Sequence, residues 1–583
     1  MKKRLITLTI CLCLILSGLL SSGCTSDLPK AGRVGETATD TVSPLPSPAA
    51  GDTGTAEDAG AKGDVDAAED AEATGNAGTT GDTGTAEDAG ATDPSDPYSE
   101  VVLETALPED EGIRNECLDL IDEIITNDVA YGFPGAQLAV MRNGRLIYHN
   151  SWGYKNIDPD DPITDDTLFD LASVTKMISV NYAIQKLVTD GELDPDAKIT
   201  EYLGPSFAED VIDIRYKDGV NTDLETQKKW KKELAIIDLM MHQGGFPADP
   251  KYCNPNVDAT TQEYDPDATN VLFSGNSGDE TTKRQTIEAI CKTPLLYEPG
   301  TKTLYSDVDY MILGLVVEKA AGTDLDTYLK ENFCYPLGLK HVTYTPIKNG
   351  FKKTDCAATE LNGNTRDGYV YYDGIRTYTL QGEVHDEKAW YSMGGISGHA
   401  GLFSNACDLA RLGNLMLDPV LPGREGSVCF SPEVIDLFTS PSSDDRQNWG
   451  LGWWRQGNME RVKYFGSKAG PDTFGHQGWT GTLLMIDPEK QLVIAFLTNK
   501  INSPVTDKET DYNKFDGNWY TTATLGFVPE ILYTGMDENG DISAELEAIV
   551  NKLQSSAEEQ VTPDMSPDHP AVKNLESKRQ LGN

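Results

Sequence analysis

Two stretches of this chain read as β-hairpins, and they lie at opposite ends of its globular part. Residues 135–153, GAQLAVMRNGRLIYHNSWG, alternate apolar and polar side chains around Asn143-Gly144. A period of two that turns at Asn-Gly is a strong short-range hairpin signal. Residues 482–499, TLLMIDPEKQLVIAFLTN, read as a second hairpin, turning at Asp487-Pro488-Glu489-Lys490. Between them the apolar spacing is mostly helical, as at 173–190, 234–242, 305–321 and 405–417. Strands at both ends with helices between them predict an α/β (α+β) domain. Its antiparallel sheet is built from both ends of the domain, flanked by helices, with a helical subdomain between.

The flanks read differently. Met1-Lys2-Lys3-Arg4 is basic, Leu5 to Leu20 is apolar, and Ser21-Ser22-Gly23-Cys24 follows. This is the layout of an export signal over 1–23. Cys24, directly after small residues, resembles a bacterial lipobox, which implies lipidation there and an extracytoplasmic, membrane-anchored protein. Residues 24–107 form an acidic Ala/Gly/Thr-rich stretch in which GDTGTAEDAGA occurs at 51–61 and again at 81–91. With almost no large apolar side chains it predicts a disordered tether. The domain is expected over 108–545, with polar surface insertions at 205–232 and 249–284. A charged C-terminal helix or tail over 546–583 follows, loose from about 555. The net charge of −45 argues against nucleic acid as a partner. Outside the signal the cysteines are odd in number and widely spaced, so neither a disulfide scaffold nor a zinc site is expected. A calcium-loop start at Asp537, Asn539 and Asp541 fails at Ile542 and Ala548, which stand where Gly and Glu are needed.

The chemistry begins with LFDLASVTKMISV at 168–180. Ser173 and Lys176 lie about one helical turn apart. Met177, Val180, Ile184, Leu187 and Val188 continue the apolar face that Ser173 begins, so hydroxyl and amine are aimed toward the core. Desolvation there makes a lysine base available, and helix N–H groups can serve an oxyanion. The same residues also fit a polar start to an amphipathic helix. His385, Asp386, Glu387 and His399 raise a metallohydrolase alternative. Without H-E-x-x-H or similar spacing they read as ordering a loop near the pocket, and no metal or cofactor is expected. There is no G-x-S-x-G elbow.

Downstream lie Tyr305-Ser306-Asp307 and His476-Gln477-Gly478. With LASVTK, PLLYEPGTKTLYSD, MGGISGHAGLFS and GHQGWTGT, the order S-x-x-K, Y-x-N-like, H-x-G resembles the serine β-lactamase and penicillin-binding protein superfamily in its class C β-lactamase-like branch. The resemblance covers about 108–535. HQGGFPADP, ATELNGNTRDG and LQGEVHDEKAWYSMGGISGHAGLFS are similar to the penicillin-binding protein 4B group, described as D-alanyl-D-alanine carboxypeptidases. The resemblance implies a β-lactamase/transpeptidase-like fold. It makes Ser173 the nucleophile of an acyl-enzyme, Lys176 its activator and Tyr305 the proton carrier to the leaving group. Backbone N–H groups of Ser173 and Trp479 would form the oxyanion hole, with Gly478 and His476 in the substrate strand.

Two departures from the family pattern matter. Asp307 stands where Asn is commonest and favours a Lys176 ammonium, which makes Tyr305 the expected base. His476 stands where relatives often carry Lys and is expected to offer a pH-dependent positive charge to a substrate carboxylate. The expected substrate is a peptidoglycan stem peptide or another small acyl compound, handled by a monomer. A β-lactamase, an esterase, a D-amino-acid peptidase and a non-catalytic cell-wall-binding lipoprotein remain as alternatives.

Overall fold

The computed structural model describes residues 97–156, 161–422, 428–443, 445–536 and 540–582. Cys24, the signal, the tether up to residue 96, and Asp537 and Asn539 lie outside the described residues.

The two sequence hairpins meet in one six-stranded antiparallel sheet. Its strands are β1 (Gly135–Arg142), β2 (Arg145–Gly153), β3 (Trp454–Arg455), β4 (Phe474–Gly478), β5 (Thr482–Asp487) and β6 (Leu492–Thr498), in the order β2-β1-β6-β5-β4-β3. The first hairpin turns at Asn143 and Gly144, whose φ values of 50° and 78° are those of a primed turn. The second turns where Asp487 Oδ1 accepts Glu489 N–H at 2.9 Å and Lys490 N–H at 3.0 Å. The pairing of β1 with β6 closes the sheet from the two ends of the domain.

Helices cover both faces of the sheet, in line with the expected sheet flanked by helices. Leu138, Val140, Leu483, Met485, Ile494 and Phe496 pack with helices α1 (Asn115–Ala130) and Phe527–Gly535. The intervening side chains Ala139, Met141, Leu484, Ile486, Val493 and Ala495 pack with the opposite layer, which includes the helix Ala406–Asn414. Gly413 lets that helix sit close, since a Cβ there would meet Val493 Cγ1 at 2.8 Å and Leu484 Cδ1 at 2.9 Å. Between the hairpins, Tyr182–Thr189 and Asp307–Ala321 are the central helices of the helical part.

Three boundaries differ from the sequence reading. Residues 97–107 belong to the folded unit: Leu146 N–H bonds Glu104 O at 2.9 Å and Ser99 N–H bonds Tyr335 O at 2.8 Å. The insertions are also more than surface loops. Tyr252 and Cys253 are buried, and Lys231 is wholly buried with its ammonium on Ile290 O, Cys291 O and Thr293 O, where the helix Glu280–Lys292 ends. Finally, the C-terminal segment is not loose. Ser543–Glu559 and Pro570–Lys578 are helices, and Lys578 pairs with Asp128 of α1, both fully buried. Its charged composition conceals a buried face of Pro570, Ala571, Asn574, Leu575 and Lys578.

Candidate active site

Ser173 is set in place by a tight crossing of two segments. Asp170 is buried and accepts Ala172 N–H at 2.8 Å and His385 N–H at 2.7 Å; burial pushes its carboxyl up to about 6. Ala172 then adopts φ 45°, a conformation that costs an alanine about 1–2 kcal/mol. The chain turns sharply there and presents Ser173 to a cavity of about 940 Å³. The end of β4 and the turn into β5 clamp it from the other side. Thr480 and Thr482 hydroxyls bond Asp170 O at 2.8 Å and Leu171 O at 2.9 Å. Gly478 permits the approach, because a Cβ there would meet Leu171 O at 2.3 Å and Thr482 Oγ1 at 2.2 Å.

After Ser173 the helix opens into a wide π turn over Lys176–Asn181 before tightening at Tyr182. Such turns are frequent at functional sites. The turn carries Lys176, fully buried, to a three-way contact. Its ammonium donates to Ser173 Oγ at 2.9 Å, Asp307 Oδ1 at 2.9 Å and His399 O at 3.0 Å. Burial disfavours that charge, but Asp307 and Tyr305 outweigh it and raise the lysine pKa. The amine therefore holds its proton.

Tyr305 lies beside it, with Lys176 Nζ 4.9 Å from the ring centre. Burial raises the phenol, Lys176 pulls it back and Asp307 raises it again, so the phenol ends above its ordinary value. The His242 ring lies tilted against the Tyr305 ring, with centroids 4.4 Å apart, and its Nδ1 lies 3.0 Å from Asp309 Oδ2 and 3.2 Å from Ser306 N. His476 lies 6.0 Å from the same ring, between centroids, and is fully buried. Burial and then Lys176 hold His476 neutral, so the positive charge expected of it is absent. Its Nδ1–H donates to Gln477 O at 2.7 Å, and Nε2 has no partner among the described residues.

Asp307 joins Lys176 to a wider network. Its Oδ2 lies 3.2 Å from the buried Lys388 ammonium, which also contacts Asp386 at 3.7 Å and Asp249. Burial works against the Asp307 carboxylate, yet Lys176 and Lys388 hold its pKa well below the usual range. His399 Nε2 lies 2.8 Å from Asp386 Oδ1, and its Nδ1 is 2.8 Å from Ser397 Oγ. The four residues weighed as a metal set do not converge. Asp386 and His399 meet Asp307, with ligand atoms within 4.8 Å of one another, but Lys388 supplies positive charge to both acids. His385 instead stacks on Trp479 at 4.9 Å, and Glu387 pairs with Arg366 at 3.3 Å.

The structure thus brings Ser173, Lys176, Tyr305, Asp307, His476 and Gly478 to one place, with the partly exposed Trp479 on the cavity wall. Sequence reasoning missed Lys388, Asp249, Asp170 and His242. His242 stands in the quoted HQGGFPADP stretch, so its motif was visible while its partner ring was not.

The sequence pattern of a family described as Beta-lactamase matches residues 121–518. The chain belongs to that family. A relative from Escherichia coli (strain K12), named "Putative D-alanyl-D-alanine carboxypeptidase", is 42% identical over 445 residues, covering 75% of this chain and 94% of the relative. One of the same name from Salmonella heidelberg (strain SL476) is 41% identical over 441 residues, covering 74% and 94%. Among solved structures, a mutant of simvastatin synthase from Aspergillus terreus shares the fold, with a TM-score of 0.50 at 18% identity over 73% of this chain and 99% of that one. The protein is a serine hydrolase of the β-lactamase fold.

Proposed function

We propose that the protein is a D-alanyl-D-alanine carboxypeptidase acting on peptidoglycan stem peptides through an acyl-enzyme on Ser173. The observation that carries the reading is the 2.9 Å contact of a buried, proton-holding Lys176 with Ser173 Oγ beside Tyr305. Because Asp307 keeps Lys176 an ammonium, the proton acceptor is Tyr305 in its phenolate form, a minority form that burial and Asp307 disfavour and the ammonium stabilises. Ser173 Oγ gives its proton to Tyr305 and bonds the carbonyl carbon of the penultimate D-alanine. Backbone N–H groups of Ser173 and Trp479 receive the developing oxyanion. Tyr305 passes the proton to the departing amine as the C–N bond breaks, and terminal D-alanine leaves. Water then releases the acyl group by the reverse proton path. The D-alanyl substrate is supported by the name of the relatives.

The test is D-alanine release from a D-Ala-D-Ala-terminated peptide, alongside fluorophosphonate labelling. The label is expected on the peptide holding LASVTK and absent from Ser173→Ala. A label on another serine, or peptide turnover that survives Ser173→Ala, overturns the mechanism.

We further propose that the domain works outside the cytoplasm as a monomer tethered through lipidated Cys24. Among the described residues no helix is long and apolar enough to cross a membrane. Cys24→Ser should move the protein from the membrane fraction to the soluble extract. Retention in the membrane would discard this anchor.

A further inference from the structure

A neutral His476 leaves the substrate strand without a cation for the carboxylate that a D-alanyl leaving group carries. Next to the catalytic cavity, around the end of β4, lies a second cavity of about 240 Å³. Lys463, Gln477, Trp479, Lys500, Asn513 and Asn518 line it, and no Asp or Glu does. Gln477, Trp479 and Asn513 line both cavities, so the two adjoin at these side chains.

Neither Lys463 nor Lys500 has a hydrogen bond or ion pair among the described residues; Lys463 is exposed, with its ammonium 5.8 Å from the centre of the Tyr464 ring. Acids are not scarce, since the chain has 93 acidic residues against 48 basic ones. Lys500 is also built in. Its stem crosses Gly481, where a Cβ would meet Lys500 Cδ at 2.9 Å. Burial, and then the Lys463 charge, push Lys500 down to about 8, a cost that a bound anion relieves. The neutral donors match. Asn513 Oδ1 already accepts Arg366 Nε–H at 3.3 Å and Asn518 Oδ1 accepts Phe515 N–H at 2.9 Å, which leaves both amide nitrogens as donors.

We propose that this second cavity is the carboxylate subsite for the leaving group, with Lys463 and Lys500 as its counter-charges. The assignment of the carboxylate to a terminal D-alanine rests on the substrate reading above; the anion site itself does not. A subsite beyond the reacting carbonyl acts on the leaving group alone, so it should distinguish substrates that share an acyl group and differ only in leaving-group charge.

The experiment compares 3-carboxyphenyl acetate with phenyl acetate as esters, using the whole chain and the double variant Lys463→Met/Lys500→Met. The wild-type protein should favour the carboxylated ester in kcat/KM. The double variant should lower that ratio about tenfold or more, the scale of one charge-assisted contact. Lys463→Arg/Lys500→Arg should keep the ratio, and added salt should erode it in the wild type. A ratio unchanged by the Met variant, or no wild-type preference, overturns the subsite. If the ratio responds but the D-Ala-D-Ala peptide is not cleaved, the substrate reading fails and the anion site stands. Peptide cleavage with an unresponsive ratio sinks the subsite alone.

Discussion

The protein holds two Ser–Lys–Asp trios built from the same parts. One is Ser173, Lys176 and Asp307 at the cavity; the other is Ser577, Lys578 and Asp128, where the last helix meets α1. In each, the lysine bonds the serine hydroxyl at 2.9 Å and pairs with the aspartate. The surroundings differ. Asp128 is fully buried and its oxygens are filled by Lys578, Ser577 and the N–H and hydroxyl of Thr522, at 2.9 Å and 2.7 Å for the latter two. Asp307 is 18% exposed and has a second cation in Lys388. As a result the two lysines shift in opposite senses. Burial lowers Lys578 and its single acid does not restore it; Asp307 and Tyr305 together raise Lys176. The comparison teaches that the trio does not define a site. An open cavity, a neighbouring phenol and a spare counter-ion do.

The largest effect should come from the first serine. Ser173→Ala is expected to lower kcat by roughly 10³-fold or more with little change in stability, measured by ester and peptide turnover and by thermal unfolding. Residual turnover near wild type would make both trios structural.

The lysines should divide the comparison next. Lys578→Met strands the Asp128 carboxylate and is expected to cost about 3–5 kcal/mol in denaturant unfolding, with kcat of the folded fraction kept. Lys176→Met should abolish turnover at a smaller stability cost, because Asp307 retains Lys388. Equal stability losses would refute the role given to Lys388.

Asp307→Asn tests the open trio through pH. The carboxylate raises both Lys176 and Tyr305, so its removal lowers both. Activity that needs the Tyr305 phenolate rises with pH, and the rising limb should move to lower pH in the variant. A limb that stays in place removes Tyr305 as the base.

Ser577→Ala should cost only about 1 kcal/mol, the net worth of an ordinary hydrogen bond, and leave turnover alone. The smallest expected effect is that of EDTA, which should leave activity unchanged if Lys388 is the cation among Asp307, Asp386 and Asp249. Loss restored by zinc would instead favour the Asp307, Asp386 and His399 group as a metal site.

The sequence by itself determined what is local. The first hairpin followed from a period of two around Asn143-Gly144, the second from two apolar runs around Asp487–Lys490, and the spacing of Ser173 and Lys176 from one helical turn. The remaining motifs reached Tyr305, Asp307, His476 and Trp479 through resemblance to a family, without distances. Only the tertiary structure decided charge and partnership. His476 reads as a titrating cation in GHQGWTGT, yet burial beside Lys176 makes it neutral. Lys388 drew no notice in the sequence and Lys578 fell in a charged tail expected to be loose, yet one joins the site and the other seals the C-terminal helix to α1. The reason is physical: a side chain's charge state depends on how much water it loses and on which opposite charges reach it. Lys176 and Asp307, separated by 131 residues, become neighbours only when the chain folds.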